Sequence, residues 1–192
     1  MMDLALHPDF VEELLDTIVE FDLGIIEEAG RFEFDAFQIG DDWGQQSGVT
    51  MGPEAWRRFI KPRAARLYAA THDAGKHVVI HSCGAVQELF DDLIEVGVEV
   101  FGPFQPEVMD VVEMKRRFGD RLAFYGGVST QETLPYASPE GVRAEVRRLL
   151  NDVGKGGGYI LAPAHDVQRD VPLENILALL DEVQSQPGAR VR

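Results

Sequence analysis

The sequence has very little cysteine and no long hydrophobic run. Cys83 is the single cysteine among 192 residues, so no disulfide can form within the chain, and a lone thiol is typical of a reducing compartment. No apolar stretch approaches the roughly 18 residues that a membrane-spanning helix needs. The first residues have neither the basic n-region nor the apolar h-region of a signal peptide. These absences exclude a disulfide scaffold, and we expect a cytoplasmic protein.

Basic residues are scarce as well. The chain has 18 lysines and arginines against 33 aspartates and glutamates, which gives a formal net charge of −15. A surface of this charge repels polyanions, so neither nucleic acid nor an anionic membrane is an expected partner. The hydrophobic fraction of 45% is enough for one domain with a sizeable core.

Helical and strand patterns alternate along the whole chain. The strand segments are short, apolar and not alternating, which is typical of parallel strands that helices cover on both faces. The alternation predicts an α/β fold, either a doubly wound sheet or a (β/α)8 TIM-type barrel. We predict strands at 36–40, 77–81, 98–101, 122–125 and 159–161, and helices at 7–28, 52–73, 86–96, 111–118, from 138 to the glycines at 154–158, and 173–183.

The positions of the unusual polar residues favour the barrel. They follow the C-terminal ends of all five predicted strands, where the loops of a barrel carry its chemistry, whereas only one or two loops converge in a doubly wound sheet. A complete barrel has eight strands and typically about 250 residues. We therefore predict a barrel truncated to its last five βα units over residues 1–184, followed by a flexible tail at 185–192.

An open barrel exposes strand edges and apolar surface. We therefore expect a homodimer, or a partner that supplies the missing half of the barrel.

The sharpest local feature is the sequence His81-Ser82-Cys83-Gly84, directly after a predicted strand. Imidazole and thiolate are preferred zinc ligands, and a catalytic zinc site usually has three protein ligands and one open position. His165 follows the last predicted strand and would complete a set of two histidines and one cysteine. The alternative is a buried cysteine that acts as a small apolar residue, with histidines that bond to the backbone.

A second cluster follows the first predicted strand. Asp41 and Asp42 are candidate catalytic carboxylates, although neighbouring residues of a strand point in opposite directions, so we expect one of them to face the site. A capping aspartate beside a solvated one is the alternative. Trp43 and Gln45 in the same segment, with Gln105 and Gln131 after later strands, are candidate substrate-binding residues.

Four segments of the sequence resemble the uroporphyrinogen decarboxylase superfamily, which also contains cobalamin-dependent methyltransferases. They cover most of the chain in the expected order, and the resemblance implies a (β/α)8 barrel. The segments are GDDWGQQSGVTMGPEAWRRFIKP, HSCGAVQELFDDLIEVGVEVFGPFQPE, FYGGVSTQETLP and GGGYILAPAHDVQRDVPLENI.

The resemblance implies two chemistries. Methyltransferase members bind zinc through His-x-Cys and a later cysteine, and activate a thiol for attack on methylcobalamin; His81 and Cys83 match that motif, while His165 replaces the later cysteine. Decarboxylases act on a tetrapyrrole without metal, and their pattern has an aspartate near Asp41 and Asp42 and a histidine at the position of His165. Their substrate-gripping arginines belong to a segment that this sequence lacks.

We favour a zinc-dependent, methyltransferase-like enzyme that acts on a corrinoid or a thiol methyl acceptor. Its expected cofactors are zinc and a corrinoid, and its expected partner is a small molecule or a corrinoid protein. A uroporphyrinogen decarboxylase of porphyrin biosynthesis is one alternative, and a truncated, non-catalytic half-barrel subunit is the other.

Overall fold

The protein is described by a computed structural model of residues 1–186. The last six residues, and with them most of the predicted tail at 185–192, lie outside the described residues. The chain divides into two compact units, the first spanning Met1–Phe101 and the second beginning at Gly102. No helix in the described part of the chain combines the length and apolar character that crossing a membrane requires.

Five parallel strands form one sheet, which confirms the predicted α/β class and fits part of a (β/α)8 barrel. The strand order is β1-β4-β5-β6-β7, and a separate antiparallel hairpin joins β2 to β3. Helices connect the successive sheet strands, as parallel pairing requires. The strands are β1 (Ala36–Gly40), β2 (Gly44–Gln45), β3 (Gly48–Val49), β4 (His77–His81), β5 (Val100–Phe104), β6 (Ala123–Val128) and β7 (Tyr159–Pro163).

The helix Pro139–Asp152 begins at the signal that the sequence predicts. Ser138 accepts a hydrogen bond from the backbone N of Gly141, and Pro139 occupies the first helical position. The helices are α1 (Asp3–Leu6), α2 (Pro8–Ala29), α3 (Pro53–Ala55), α4 (Lys61–Asp73), α5 (Phe90–Glu95), α6 (Val111–Phe118), α7 (Thr133–Tyr136), α8 (Pro139–Asp152) and α9 (Leu173–Gln184), with a π-helical turn at Trp56–Ile60 and a 3₁₀ turn at Gln87–Leu89.

In the first unit, α2 packs against α4. Three acidic residues of α2, one on each of three successive turns, form ion pairs with arginines of α4 and of the π-helical turn before it. These contacts fix which face of α2 turns inward, and Val19 and Ile26 are its buried residues. The pairs are Glu12–Arg58 at 3.0 Å, Asp16–Arg63 at 2.8 Å and Glu20–Arg66 at 2.5 Å.

In the second unit, α9 packs against α8 and α7. Asn175 is 1% exposed, and its Nδ2 donates to the backbone O of Leu134 and of Ala137, each at 2.8 Å. Arg147 of α8 binds the buried carboxylate of Glu182 at 2.8 Å. These polar contacts hold α9 in one orientation on α7 and α8.

The strand boundaries differ from the prediction in the middle of the chain. β5 begins at Val100 rather than at 98, and β6 continues to Val128 rather than ending at 125. Gly126 and Gly127 lie inside β6 with φ of +124° and +98°. A Cβ on Gly126 would lie 2.8 Å from the backbone N of Phe104, so the close approach of two backbones extends this strand through residues that look like a turn in the sequence.

Candidate metal centre

The candidate centre begins at the C-terminal end of β4. Val78 and Ile80 are buried in the core at 0% and 1% exposed, so His81 ends the strand one position beyond its last buried residue and turns to the other face. Two residues later the chain has left the strand, and Cys83 lies beside that histidine. The Nε2 of His81 and the Sγ of Cys83 are 3.5 Å apart.

The loop that carries Cys83 is fastened to the segment after β1. Ser82, which is 1% exposed, accepts a hydrogen bond through its Oγ from the backbone N of Trp43 at 3.1 Å. The backbone N of Cys83 donates to Oδ1 of Asp42 at 3.1 Å, and the backbone N of Ala85 donates to O of Gln45 at 2.9 Å. The three bonds hold the His81–Cys83 pair in a defined geometry.

Gly84 allows the two segments to approach this closely. Its φ is +85°, and a Cβ at this position would collide with the backbone of Gly44. Any side chain here would therefore push the Cys83 loop away from the segment after β1.

Asp41 and Asp42 follow the last residue of β1 and have different surroundings. The carboxylate of Asp42 contacts the backbone N of Cys83. Asp41 instead lines a cavity of about 100 Å³ in the first unit, together with Trp43 and Tyr68. Burial, and secondarily the negative charge of Asp41, raises the pKa of the Tyr68 hydroxyl.

The surroundings of Cys83 oppose formation of a free thiolate. Burial raises the pKa of the thiol to about 11, with further contributions from the charge of Asp42 and from its hydrogen bond with the thiol. Without a cation the thiol is therefore protonated near neutral pH. The same acidic, half-buried surroundings would favour a bound cation.

The second histidine of the predicted set follows β7. Ala164 is buried at 1% exposed, and His165 then emerges to an exposed position. His165 belongs to the second unit, whereas His81 and Cys83 belong to the first.

The predicted substrate-binding residues occupy different environments. Trp43 is 2% exposed and packs edge-on against Trp56, with ring centroids 5.1 Å apart. Gln45 lies exposed in β2, and Gln131 is exposed after β6. Gln105, directly after β5, is buried at 8% exposed.

One polar pair was not predicted from the sequence. Glu107 accepts a hydrogen bond from the Oγ of Ser129 at 2.5 Å, and its other carboxylate oxygen is buried. The two residues lie after β5 and β6. In the sequence, each residue follows a predicted strand, which was the available signal for a functional position. Neither residue belongs to a recognisable motif.

Comparison with known proteins fits the fold and the loop motifs. The family model described as Uroporphyrinogen decarboxylase (URO-D) matches residues 1–186. A solved structure, a methyltransferase from Methanosarcina mazei, superposes with a TM-score of 0.77 at 24% identity, and the match covers 95% of this chain and 51% of that one. At this identity the structural match establishes the fold alone.

Curated relatives include both activities of the superfamily. The methylcobamide:CoM methyltransferase MtaA of Methanosarcina barkeri is 28% identical over 172 residues, 90% of this chain and 48% of the relative. A uroporphyrinogen decarboxylase of Thioalkalivibrio sulfidiphilus is 28% identical over 151 residues, 77% of this chain and 41% of the relative. The chain thus spans about half the length of the curated relatives it matches.

The parallel βα architecture and the motif-bearing loops define a protein of the βα-barrel class. The chain belongs to the uroporphyrinogen decarboxylase family, as the sequence resemblance predicted.

Proposed function

We propose that this chain carries the zinc-binding half of a methyltransferase-like enzyme, with His81, Cys83 and His165 as the protein ligands. The observation that carries the proposal is the close approach of His81 and Cys83 at the end of β4. The 3.5 Å between His81 Nε2 and Cys83 Sγ falls within the roughly 3.3–3.8 Å that tetrahedral coordination at ordinary Zn–N and Zn–S lengths requires.

The donor set fits zinc chemically. Imidazole and thiolate suit zinc better than they suit magnesium or calcium, which prefer oxygen ligands. Three protein ligands leave the fourth position open for a substrate thiol. Zinc, when bound, lowers the pKa of a thiol that coordinates it and so makes the thiol a nucleophile near neutral pH.

The chain's own residues prepare the site in two ways. The carboxylate of Asp42 accepts a hydrogen bond from the backbone N of Cys83 at 3.1 Å, and we propose it as the acceptor for the proton that the thiol loses on becoming a ligand. The bond that Ser82 Oγ accepts from the backbone N of Trp43 keeps the loop in place while that proton moves. Half-burial of His81 and Cys83 limits competition from water.

The name of the Methanosarcina barkeri relative indicates the substrate class. That protein is a methylcobamide:CoM methyltransferase, so a corrinoid is the methyl donor that we propose here and a thiol is the acceptor. The proposal concerns this half of the site, because the relatives are about twice as long.

Decarboxylation of a porphyrinogen is the second candidate, since decarboxylase relatives match at similar identity. It requires cationic side chains that grip carboxylates. In the first unit the arginines of the π-helical turn and α4 already bind acidic side chains: Arg57 and Arg58 bind Glu54 and Glu12, and Arg63 and Arg66 bind Asp16 and Glu20.

Elemental analysis of the purified protein tests the proposal. We expect about one zinc per chain, lost in His81→Ala and in Cys83→Ser and retained in His7→Ala, which removes an exposed imidazole at the start of α2. Zinc-loaded protein should then bind a thiol such as CoM more tightly than the metal-free protein does. Protein without zinc that converts uroporphyrinogen would support the decarboxylase instead.

A further inference from the structure

A cavity of about 100 Å³ lies in the first unit, where α2 and α4 meet the ends of β1 and β4. Most of its walls are aliphatic, and they include Val19 of α2, Ile39 of β1, Leu67 of α4 and Ile80 of β4. None of the three proposed zinc ligands is among the described residues that line it. We call this space, which these four residues define, the α2–α4 cavity.

Tyr68 brings a buried hydroxyl to the α2–α4 cavity. The residue is 1% exposed, and no residue in the described part of the chain forms a hydrogen bond with its hydroxyl. Burial, and then the negative charge of Asp41, raises the pKa of that hydroxyl, so the hydroxyl is protonated and lies on the Asp41 side of the cavity. A buried polar group without a partner is costly, so a bound molecule that bonds to Tyr68 is favoured.

Two carboxylates give the α2–α4 cavity a negative charge. Asp22 and Asp41 both line it, and within residues 1–186 neither forms an ion pair. The positive charge of Arg63, which also lines the cavity, is balanced by Asp16 at 2.8 Å. Asp41 is exposed and Asp22 is half-buried, so solvent reaches both carboxylates. The cavity therefore attracts a cation.

The lining favours an organic cation over a metal ion. Magnesium and calcium take about six or more oxygen ligands, whereas no group of three acidic or histidine side chains assembles at this cavity in the described chain. The aliphatic walls suit alkyl groups instead. A primary ammonium has three N–H donors, and the side chains of Asp22, Asp41 and Tyr68 offer acceptors for them.

The volume of the cavity limits the size of the ligand. An apolar cavity of about 150 Å³ holds benzene, so the space here accommodates roughly four non-hydrogen atoms. We propose that the α2–α4 cavity binds a small primary alkylammonium ion such as n-propylammonium. Its ammonium group lies at Asp22, Asp41 and the Tyr68 hydroxyl, and its alkyl chain packs against Ile39 and Leu67.

Isothermal titration calorimetry of the full chain with n-propylammonium chloride near neutral pH tests the proposal. We expect saturable binding at one site per chain. Propan-1-ol has nearly the same shape without the charge and should bind at least about tenfold more weakly, because hydrogen bonds to charged groups are the stronger ones. Propionate, which carries the opposite charge, should not bind, and n-heptylammonium, which is too long for the cavity, should bind more weakly than n-propylammonium.

Three nearly isosteric variants address the polar groups of the cavity. Asp22→Asn and Asp41→Asn should each weaken the binding of n-propylammonium about tenfold, and Tyr68→Phe should weaken it about threefold to tenfold. The matched controls are Asp9→Asn, at an exposed position of α2, and Tyr136→Phe, at a tyrosine that is 80% exposed. Both controls should leave the affinity unchanged.

A further variant separates this site from the candidate metal centre. Cys83→Ser removes a proposed zinc ligand that does not line the α2–α4 cavity. The affinity for n-propylammonium should therefore be the same in Cys83→Ser and in the unaltered protein. An affinity that falls in Cys83→Ser as much as in Asp41→Asn would place the amine at the metal centre and overturn the proposal.

Circular dichroism first establishes that each protein is folded, and the series of ligands on the unaltered protein decides the matter even where a variant does not fold. Folded protein without saturable binding of n-propylammonium would overturn the proposal. Equal affinities for n-propylammonium and propan-1-ol would also overturn it, and so would a crystal structure with n-propylammonium in which the cavity contains only water.

Discussion

Oδ1 of Asp42 accepts a hydrogen bond from the backbone N of Cys83 at 3.1 Å. This contact joins the segment after β1 to the loop after β4, and it places a negative charge beside the thiol. The same carboxylate contributes to the raised pKa of Cys83. Asp42 therefore has a structural effect on the loop and an electrostatic effect on the site.

Replacing Asp42 with Asn should weaken zinc binding about tenfold, because an outer carboxylate that orients and polarises a metal ligand typically contributes 10- to 100-fold in affinity. Competition with a chromophoric chelator measures the change. The matched control is Asp41→Asn, which removes the neighbouring carboxylate that faces Tyr68. Equal losses in the two variants would mean that general negative charge, not contact with Cys83, is responsible.

Gly84→Ala should lower the free energy of unfolding by about 3 kcal/mol, through an unfavourable positive φ together with a collision with the Gly44 backbone. Gly156→Ala is the control, because its φ of +87° is similar but nothing lies within 4 Å of the added Cβ. That variant should lose only about 1 kcal/mol. Urea unfolding measures both, and equal losses would contradict the close approach at Gly84.

Asp92 gives a test of pH dependence away from the candidate centre. Burial raises the pKa of its carboxyl, but hydrogen bonds from Lys61 and Arg57 outweigh this effect, so the pKa lies below its ordinary value of 3.8. A carboxyl whose pKa is lowered on folding stabilises the protein above its unfolded pKa, and this stabilisation disappears as the pH falls through the folded pKa.

Asp92→Asn should therefore cost about 2 kcal/mol at pH 7, and the difference from the parent protein should shrink below about pH 4. Glu95→Gln is the control: it removes the other partner of Lys61, at a side chain that is 71% exposed, and should have little effect. Thermal unfolding across pH values measures both. A stability difference between Asp92→Asn and the parent protein that persists unchanged at acid pH would contradict the charged state assigned to Asp92.

Asn175→Asp should destabilise the second unit by about 2–3 kcal/mol, because an aspartate of nearly the same shape cannot donate to the carbonyls of Leu134 and Ala137. Asn151→Asp, at an exposed position of α8, is the matched change. A similar loss in both variants, measured by urea unfolding, would mean that the buried donors contribute nothing.

The sequence predicted the layered order well and the strand ends less well. β1 and β4 have the predicted bounds because apolar runs end there in charged or polar residues. β6 is longer than predicted, because Gly126 lies close to the backbone of Phe104, a residue distant in sequence. Local patterns cannot report such an approach.

In the candidate site as well, local contacts were predictable from the sequence and distant contacts were not. The His81–Cys83 pair was predictable, because two residues separated by one at the end of a strand are held together locally. Neither the bond that Ser82 accepts from Trp43 nor the bond that Cys83 donates to Asp42 was predictable, since each spans about 40 residues. The hydrogen bond between Glu107 and Ser129 was not predictable for the same reason, because it forms only when two strands lie side by side.

X-ray absorption at the zinc edge of the zinc-loaded protein tests the central claim most directly. The account predicts one sulfur neighbour at ~2.3 Å and two imidazole nitrogens at ~2.0–2.1 Å, with the sulfur absent in Cys83→Ser and one nitrogen fewer in His165→Ala. A zinc coordinated only by oxygen and nitrogen in the unaltered protein would contradict it.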